Sequence, residues 1–205
     1  MSRSATSNSQ DSSLPTTEQV RAAANMLGYV LGENVYAVVG GAACTLLGSM
    51  RVTEDVDFVV PKGSTSNARK LLKEQTDSFE VEKKTFHTIY KSNPPVEIEI
   101  LAPPALFKER FDASTPITEV DGVKILKPAL LLNAKCGSIL SRAEGKKKDT
   151  DAFDIKYLLV WCALTQNYPT TEEVPNASKE FVLWFIRIYQ GKEQWTGARY
   201  VLEQG

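Results

Sequence analysis

Two adjacent glycines followed by two alternating aspartates constrain this chain more than any other feature of its sequence. Gly40 and Gly41 end the β-branched run 35–39, which predicts a buried strand that turns sharply into a helix. Thirteen residues further on, Asp55 and Asp57 open a second apolar run. Alternate side chains of a strand project from one face, so we expect both carboxylates on the same face, about 6.6 Å apart along the chain.

The glycine turn and the acids together predict a site for phosphates and divalent cations. A phosphate can approach bare glycine backbone closely, and the first N–H groups of the following helix are free to bind it. Glu97 and Glu99 alternate in the apolar run 96–101, and one of them should supply a third carboxylate, although alternation alone does not choose between them. Three converging carboxylates repel one another unless cations neutralise them. We therefore expect two Mg²⁺ ions, with Mn²⁺ as the alternative.

These residues resemble the signature of the nucleotidyltransferase superfamily with the polymerase-beta-like fold. The resemblance consists of Gly-Gly, a short helix, and the segment Arg51-x-Thr53-x-Asp55-x-Asp57. Members carry the third acid on a later strand between apolar residues, which favours Glu99 over Glu97.

The C-terminal half adds a second resemblance. Lys135, Arg142, the basic run 146–148 and the spacing Asp151-x-x-Asp154 are similar to a pattern of small standalone nucleotidyltransferases, including those of the abortive-infection toxin type. Lys135 and Arg142 are about two helical turns apart, so they should point the same way, either lining a triphosphate site or extending over the edge of the core. For Asp151 and Asp154 we favour an interaction with the helix dipole, or a salt bridge to Lys135 or Arg142, over direct catalysis.

The resemblance implies a metal-dependent nucleotidyltransferase. Such an enzyme binds ATP or another NTP, transfers the nucleoside monophosphate to an acceptor hydroxyl or phosphate, and releases pyrophosphate; the acceptor would be a small molecule, a tRNA end or a protein. The implied catalytic and metal-binding residues are Asp55, Asp57 and Glu99, and the implied nucleotide-binding residues are Gly40, Gly41, Arg51, Thr53, Lys135 and Arg142. Many members have Ser where this chain has Ala42, and Asp where it has Glu99. The alternative is therefore a catalytically impaired protein of this fold that binds a nucleotide or a protein partner.

The order of predicted elements indicates an α/β (α+β) chain in two parts. A mixed β-sheet with flanking helices of the nucleotidyltransferase type is expected over residues 16–126, where short β-branched runs alternate with helical patterns. Residues 127–205 carry apolar residues at helical spacing and should form a helical region packed on that core. Within this region we expect the basic run 146–148 to be a solvated loop that precedes a helix over residues 149–164. Residues 1–15 are rich in Ser and lack apolar periodicity, so we expect a disordered tail. Thr16 and Gln19 stand at the spacing of a capping box.

Charge and composition limit the classes of partner. The chain has 24 Lys and Arg against 25 Asp and Glu, so we expect no extended nucleic-acid surface. No apolar run reaches the roughly 18 residues of a membrane span, and no secretory signal is evident, so we expect no membrane association and a cytoplasmic location, with the nucleus left open. Three separated cysteines predict buried, reduced thiols. His87, the single histidine, has no partner in the sequence, and we give it no catalytic role.

Overall fold

The computed structural model describes residues 14–200 and shows one mixed β-sheet flanked by helices. The predicted tail lies outside the described residues except for its last two. The helices are α1 (Thr17–Leu31), α2 (Gly40–Leu46), α3 (Thr65–Glu74), α4 (Pro128–Ser141), α5 (Lys146–Leu164), α6 (Lys179–Tyr189) and α7 (Lys192–Gly197). The strands are β1 (Ala37–Val38), β2 (Asp55–Val59), β3 (Phe79–Val81), β4 (Thr88–Tyr90), β5 (Val96–Leu101), β6 (Ile117–Val120) and β7 (Val123–Leu126).

The seven strands lie in the order β3-β4-β5-β2-β1-β7-β6. β1 runs antiparallel to β2 and parallel to β7, and β2 runs parallel to β5. The parallel pairing of β2 with β5 requires a crossover, which α3 and the β3–β4 hairpin provide. The predicted α/β architecture with a mixed sheet is thus confirmed, and all described strands precede α4.

The first helix starts where the capping residues predicted it. The backbone N–H of Gln19 donates to Thr16 Oγ1 at 3.2 Å, and the Thr16 N–H donates to Gln19 Oε1 at 2.8 Å. Both bonds satisfy donors that the helix itself leaves free, so the capping box is confirmed. The apolar stripe of α1 is fully buried and includes Val20, Ala23, Ala24 and Leu27.

The start of α5 differs from the sequence-based expectation. The basic run 146–148 forms the first turn of the helix instead of a solvated loop. Lys148 Nζ lies 2.6 Å from Glu144 Oε1 and 5.7 Å from the centre of the Trp184 ring, and these contacts hold the turn against the preceding loop. Asp151 and Asp154 therefore lie beyond the first turn, where the helix dipole has little effect. The dipole interpretation of these two acids is wrong.

Two further properties of residues 14–200 bear on the expected setting of the protein. No helix among these residues has both the length and the apolar character needed to cross a membrane. Cys44, Cys136 and Cys162 are buried and unpaired, as predicted. Burial raises the pKa of Cys44 to about 12, so its thiol stays protonated at neutral pH.

Candidate active site

Four carboxylates share one face of the central sheet. In the parallel pairing of β2 with β5, Asp55 lies opposite Glu97 and Asp57 lies opposite Glu99. The intervening residues point to the other face, where Val56 is fully buried. Directly opposite side chains in paired strands are close neighbours. The structure therefore brings the two aspartates together with both candidate third acids.

The state of Asp57 distinguishes Glu99 from Glu97. Burial, together with the charges of Asp55 and of Glu99, which lies opposite Asp57 in the ladder, raises the pKa of Asp57 to about 7. Without a cation the Asp57 carboxyl group thus keeps its proton up to near neutral pH. Asp57 Oδ1 is buried and has no hydrogen-bond partner among the described residues. A buried carboxylate oxygen without a partner, beside like charges, fits a position that can hold a cation.

The glycine turn lies directly against this acid. Gly40 has a φ of +64°, which only glycine adopts readily. A Cβ atom at Gly40 would lie 2.6 Å from Asp57 Oδ2. Both the backbone conformation and the lack of space therefore require glycine here. The contact also places bare backbone next to the carboxylates, as the sequence predicted.

The second glycine contacts the segment that leads into β2. A Cβ atom at Gly41 would collide with Arg51 Nη2 and would lie 2.6 Å from Thr53 Oγ1. Thr53 Oγ1 in turn donates a hydrogen bond to Asp55 Oδ1 at 3.0 Å. Arg51 and Thr53, both predicted to bind the nucleotide, thus lie where the glycine turn meets the carboxylates.

Arg51 is held by an acid from the helical region. Its Nε and Nη2 donate to the two carboxylate oxygens of Asp154, at 2.7 and 3.1 Å. Arg51 Nη1 also donates to the carbonyl oxygen of Val52 at 2.8 Å. The Asp154 side chain is completely buried, and a two-point pair of this kind fixes the plane of the guanidinium. Arg51 therefore has a defined orientation beside the glycine turn.

Lys135 and Arg142 are also engaged by acids of α5. Lys135 Nζ lies 2.9 Å from Asp151 Oδ1 and 2.8 Å from Asp154 Oδ2. Burial alone would lower the pKa of Lys135, but Asp154 and Asp151 raise it above the usual value. Arg142 Nε pairs with Asp151 Oδ2. The salt bridges preferred from the sequence for the two aspartates are therefore present.

This buried cluster has a net positive charge close to the carboxylate face. It contains three cations, Arg51, Lys135 and Arg142, and the two carboxylates of α5. The charge of Lys135 acts on Asp57, whose pKa it lowers against the larger opposing effects. Direct contact of Lys135 and Arg142 with a triphosphate stays a prediction, because both side chains are bound to protein carboxylates.

The three predicted metal ligands are close, but they are not preset as a metal site. Within residues 14–200, no three His, Cys, Asp or Glu side chains are arranged to hold a metal ion. In the present arrangement Asp55 accepts a hydrogen bond from Thr53, and the raised pKa of Asp57 favours its protonated form. Rotation of these side chains and loss of that proton would have to accompany metal binding.

A cavity of about 300 Å³ lies away from the carboxylates. It is located beside the start of β1, between α1 and α3, with Leu31, Tyr36 and Leu71 among its lining residues. None of the predicted site residues lines it. On the face that carries the carboxylates, Glu97 and Glu99 are exposed, whereas Asp55 and Asp57 are partly buried.

One pair on this face was missed from the sequence. His87 Nε2 lies 3.4 Å from Glu97 Oε1, so the histidine has a partner after all. The antiparallel pairing of β4 with β5 brings them together. The sequence does not show that the segment 86–91 pairs with 96–101, so it did not indicate this contact.

Comparison with known proteins identifies the fold. No protein-family model matches the chain, and no curated protein matches it. Among solved structures, it is similar to an antigenic nucleotidyltransferase-like protein from Paracoccidioides brasiliensis, with 24% identity, a TM-score of 0.70, and coverage of 93% of this chain and 97% of that one. It is also similar to a candidate nucleotidyltransferase from H. pylori, with 14% identity, a TM-score of 0.51, and coverage of 89% and 92%.

These likenesses confirm the predicted resemblance at the level of the fold. The chain has the fold of nucleotidyltransferase-like proteins over nearly its whole length. At these identities the comparison establishes architecture, and activity has to be argued from the site. The narrower assignment to the abortive-infection toxin type stays a prediction.

Proposed function

We propose that this protein is a metal-dependent nucleotidyltransferase that transfers a nucleoside monophosphate from ATP or another NTP to an acceptor hydroxyl or phosphate. The observation that carries the proposal is the contact of Gly40 with Asp57, which itself pairs with Glu99. A turn of bare backbone against a cluster of mutually repelling carboxylates suits a substrate that brings phosphates together with divalent cations. The nucleotidyltransferase-like fold supports the same conclusion at a coarser level.

Different residues of the chain have different roles in this reaction. Gly40 and Gly41 leave space for the phosphates, and the net positive cluster around Arg51 favours the leaving pyrophosphate electrostatically. The acceptor oxygen forms a bond to the α-phosphorus, while the bond from that phosphorus to the oxygen bridging to the β-phosphate breaks. Pyrophosphate leaves with the electron pair, and Glu99 accepts the proton of the acceptor hydroxyl.

Asp55, Asp57 and Glu99 would hold two Mg²⁺ ions, or Mn²⁺ in their place. The unpartnered Asp57 Oδ1 and the raised pKa of the Asp57 carboxyl group both fit a position where a cation belongs. When bound, Mg²⁺ neutralises the carboxylates, lowers the pKa of the attacking hydroxyl and stabilises charge on the leaving group. Thr53 then orients Asp55 through its hydroxyl.

The proposal is tested by incubating the purified protein with each α-³²P-labelled NTP, Mg²⁺ or Mn²⁺, and the small-molecule, RNA and protein fractions of one cell extract. We expect label transfer to one fraction with release of pyrophosphate, and loss of transfer in Asp57→Asn. Asp77→Asn is the matched control, because Asp77 is exposed in the turn before β3. Absence of transfer by the wild-type protein would refute the proposal, and absence of any NTP-induced thermal shift would show in addition that the protein does not bind the nucleotide.

The alternative is an impaired protein that binds a nucleotide or a partner without catalysis. Two residues favour it: Ala42, which offers no hydroxyl to a phosphate, and Glu99, which stands where many members have Asp. In that case an NTP would raise the melting temperature without label transfer, and Asp57→Asn would bind the NTP as well as the wild-type protein does.

A further inference from the structure

His87 and Glu97 form a second polar pair on the catalytic face. Glu97 lies opposite Asp55 in the β2–β5 ladder, so its side chain points to the face that carries the predicted metal ligands. His87 Nε2 lies 3.4 Å from Glu97 Oε1. The His87 side chain is 51% exposed and that of Glu97 is 68% exposed, so the pair faces solvent. Nδ1 of His87 has no hydrogen-bond partner within residues 14–200, so it is available to a substrate.

The loop before His87 is held in an unusual conformation. Phe86 has a φ of +61°, which is strained for a bulky side chain. Its ring lies 4.6 Å from the guanidinium carbon of Arg69 on α3. The backbone N–H of Glu82 donates to the His87 carbonyl at 2.8 Å, and the His87 N–H donates to Thr85 Oγ1 at 3.2 Å. These contacts fix the backbone from which the His87 ring projects.

The order of the strands places this pair opposite the phosphate site. The glycine turn follows β1, the aspartates lie on β2, Glu97 and Glu99 lie on β5, and His87 immediately precedes β4. In phosphoryl transfer the attacking and leaving oxygens stand roughly in line on opposite sides of the phosphorus. If the pyrophosphate leaves on the side of Gly40 and Gly41, the acceptor must approach from the side of β4. His87 is then among the side chains that it meets.

We propose that His87 binds the acceptor by accepting a hydrogen bond at its free ring nitrogen, Nδ1, from the acceptor hydroxyl, and that Glu97 is a positioning residue that orients the ring. This inference rests on the proposed function and adds a residue to its acceptor side. A carboxylate beside one ring nitrogen of a histidine commonly determines which nitrogen faces the ligand. Glu97 has this role at Nε2 of His87. Glu97 and Glu99 thus have different roles: Glu99 acts on its neighbour Asp57, whereas Glu97 contacts His87.

The test uses the full chain, labelled NTP and whichever extract fraction the wild-type protein labels. We expect His87→Ala to raise the KM for that fraction about tenfold, which corresponds to the loss of one hydrogen bond, with the KM for the NTP within about twofold of wild type. His87→Asn keeps a polar group near the position of Nδ1 and should recover part of the loss. Glu97→Gln should raise the acceptor KM by less than His87→Ala does.

Glu80→Gln is the matched control, because Glu80 is an exposed glutamate on β3, opposite Ile89 of β4. It should leave both KM values unchanged. An unchanged acceptor KM in His87→Ala would overturn the inference while leaving the proposed function intact. An equal rise in the KM for the NTP would also overturn it, because His87 would then serve the donor or the fold. If the wild-type protein transfers no label, the proposed function fails, and this inference fails with it.

Discussion

Arg51 and Asp154 form a two-point ion pair between residues 103 positions apart in the chain. Arg51 lies in the segment that leads into β2, and Asp154 lies in the middle of α5. Asp154 also accepts a bond from Lys135 of α4. The helical region is thereby joined to the sheet beside the glycine turn. The buried carboxylate of Asp154 thus helps to pack the two parts together. It also orients Arg51, which is predicted to bind the nucleotide.

Replacement of this carboxylate should be costly. Asp154→Asn leaves two buried cations without their shared counter-charge, and removal of one partner of a buried pair costs about 3 kcal/mol or more. We expect a decrease of that size in the free energy of unfolding, measured by urea titration. Asp149→Asn is the control, since Asp149 is an exposed acid on the same helix. An equal effect of both variants would contradict the assigned role of the buried pair.

Alanine substitutions at two glycines with positive φ should distinguish the cost of backbone strain from the cost of steric crowding. Gly63 has a φ of +87°, and a Cβ atom there would meet no atom of the described residues within 4 Å, whereas a Cβ at Gly40 would lie 2.6 Å from Asp57 Oδ2. We expect Gly63→Ala to cost about 1 kcal/mol through strain alone. Gly40→Ala should cost more and should also abolish label transfer, because Asp57 must move. Equal losses of stability in urea titrations would show that Asp57 does not contact the turn.

The proton that Asp57 keeps in the folded state should make the metal-free protein less stable as the pH rises. The pKa of Asp57 is about 7 in the folded protein against a usual value of 3.8. The folded state therefore holds this proton where the unfolded state has lost it, so the contribution of Asp57 to stability decreases between about pH 4 and pH 7. Urea titrations in EDTA should show this decrease in the wild-type protein relative to Asp57→Asn. A pH-independent difference between the two proteins would contradict the raised pKa of Asp57.

Metal addition should reverse that destabilisation and should distinguish the two glutamates of β5. At about pH 8, Mg²⁺ should raise the melting temperature of the wild-type protein, and EDTA should remove the effect, because the cation replaces the lost proton among the carboxylates. Glu99→Gln should abolish the shift, whereas Glu97→Gln should retain it, since Glu97 pairs with His87. Retention of the shift in Glu99→Gln would exclude Glu99 as a metal ligand.

Much of the fold and part of the candidate site could be predicted from local patterns. The capping box at Thr16, the sharp turn at Gly40 and the placement of Asp55 and Asp57 on one face all follow from the geometry of a few consecutive residues. The start of α5 was placed too late, because Lys148 is held in its first turn by contacts with Glu144 and Trp184. No local pattern predicts such contacts.

The sequence by itself therefore determined the glycine turn, the alternation of the acids and the class of fold, because the twofold period of a strand and the conformational freedom of glycine are properties of the local backbone. Tertiary structure alone decided that Glu99, and not Glu97, pairs with Asp57, because that choice depends on the register between β2 and β5. It also decided that Asp154 holds Arg51. Strand register and helix packing are set by contacts between distant segments, which no short stretch of sequence contains.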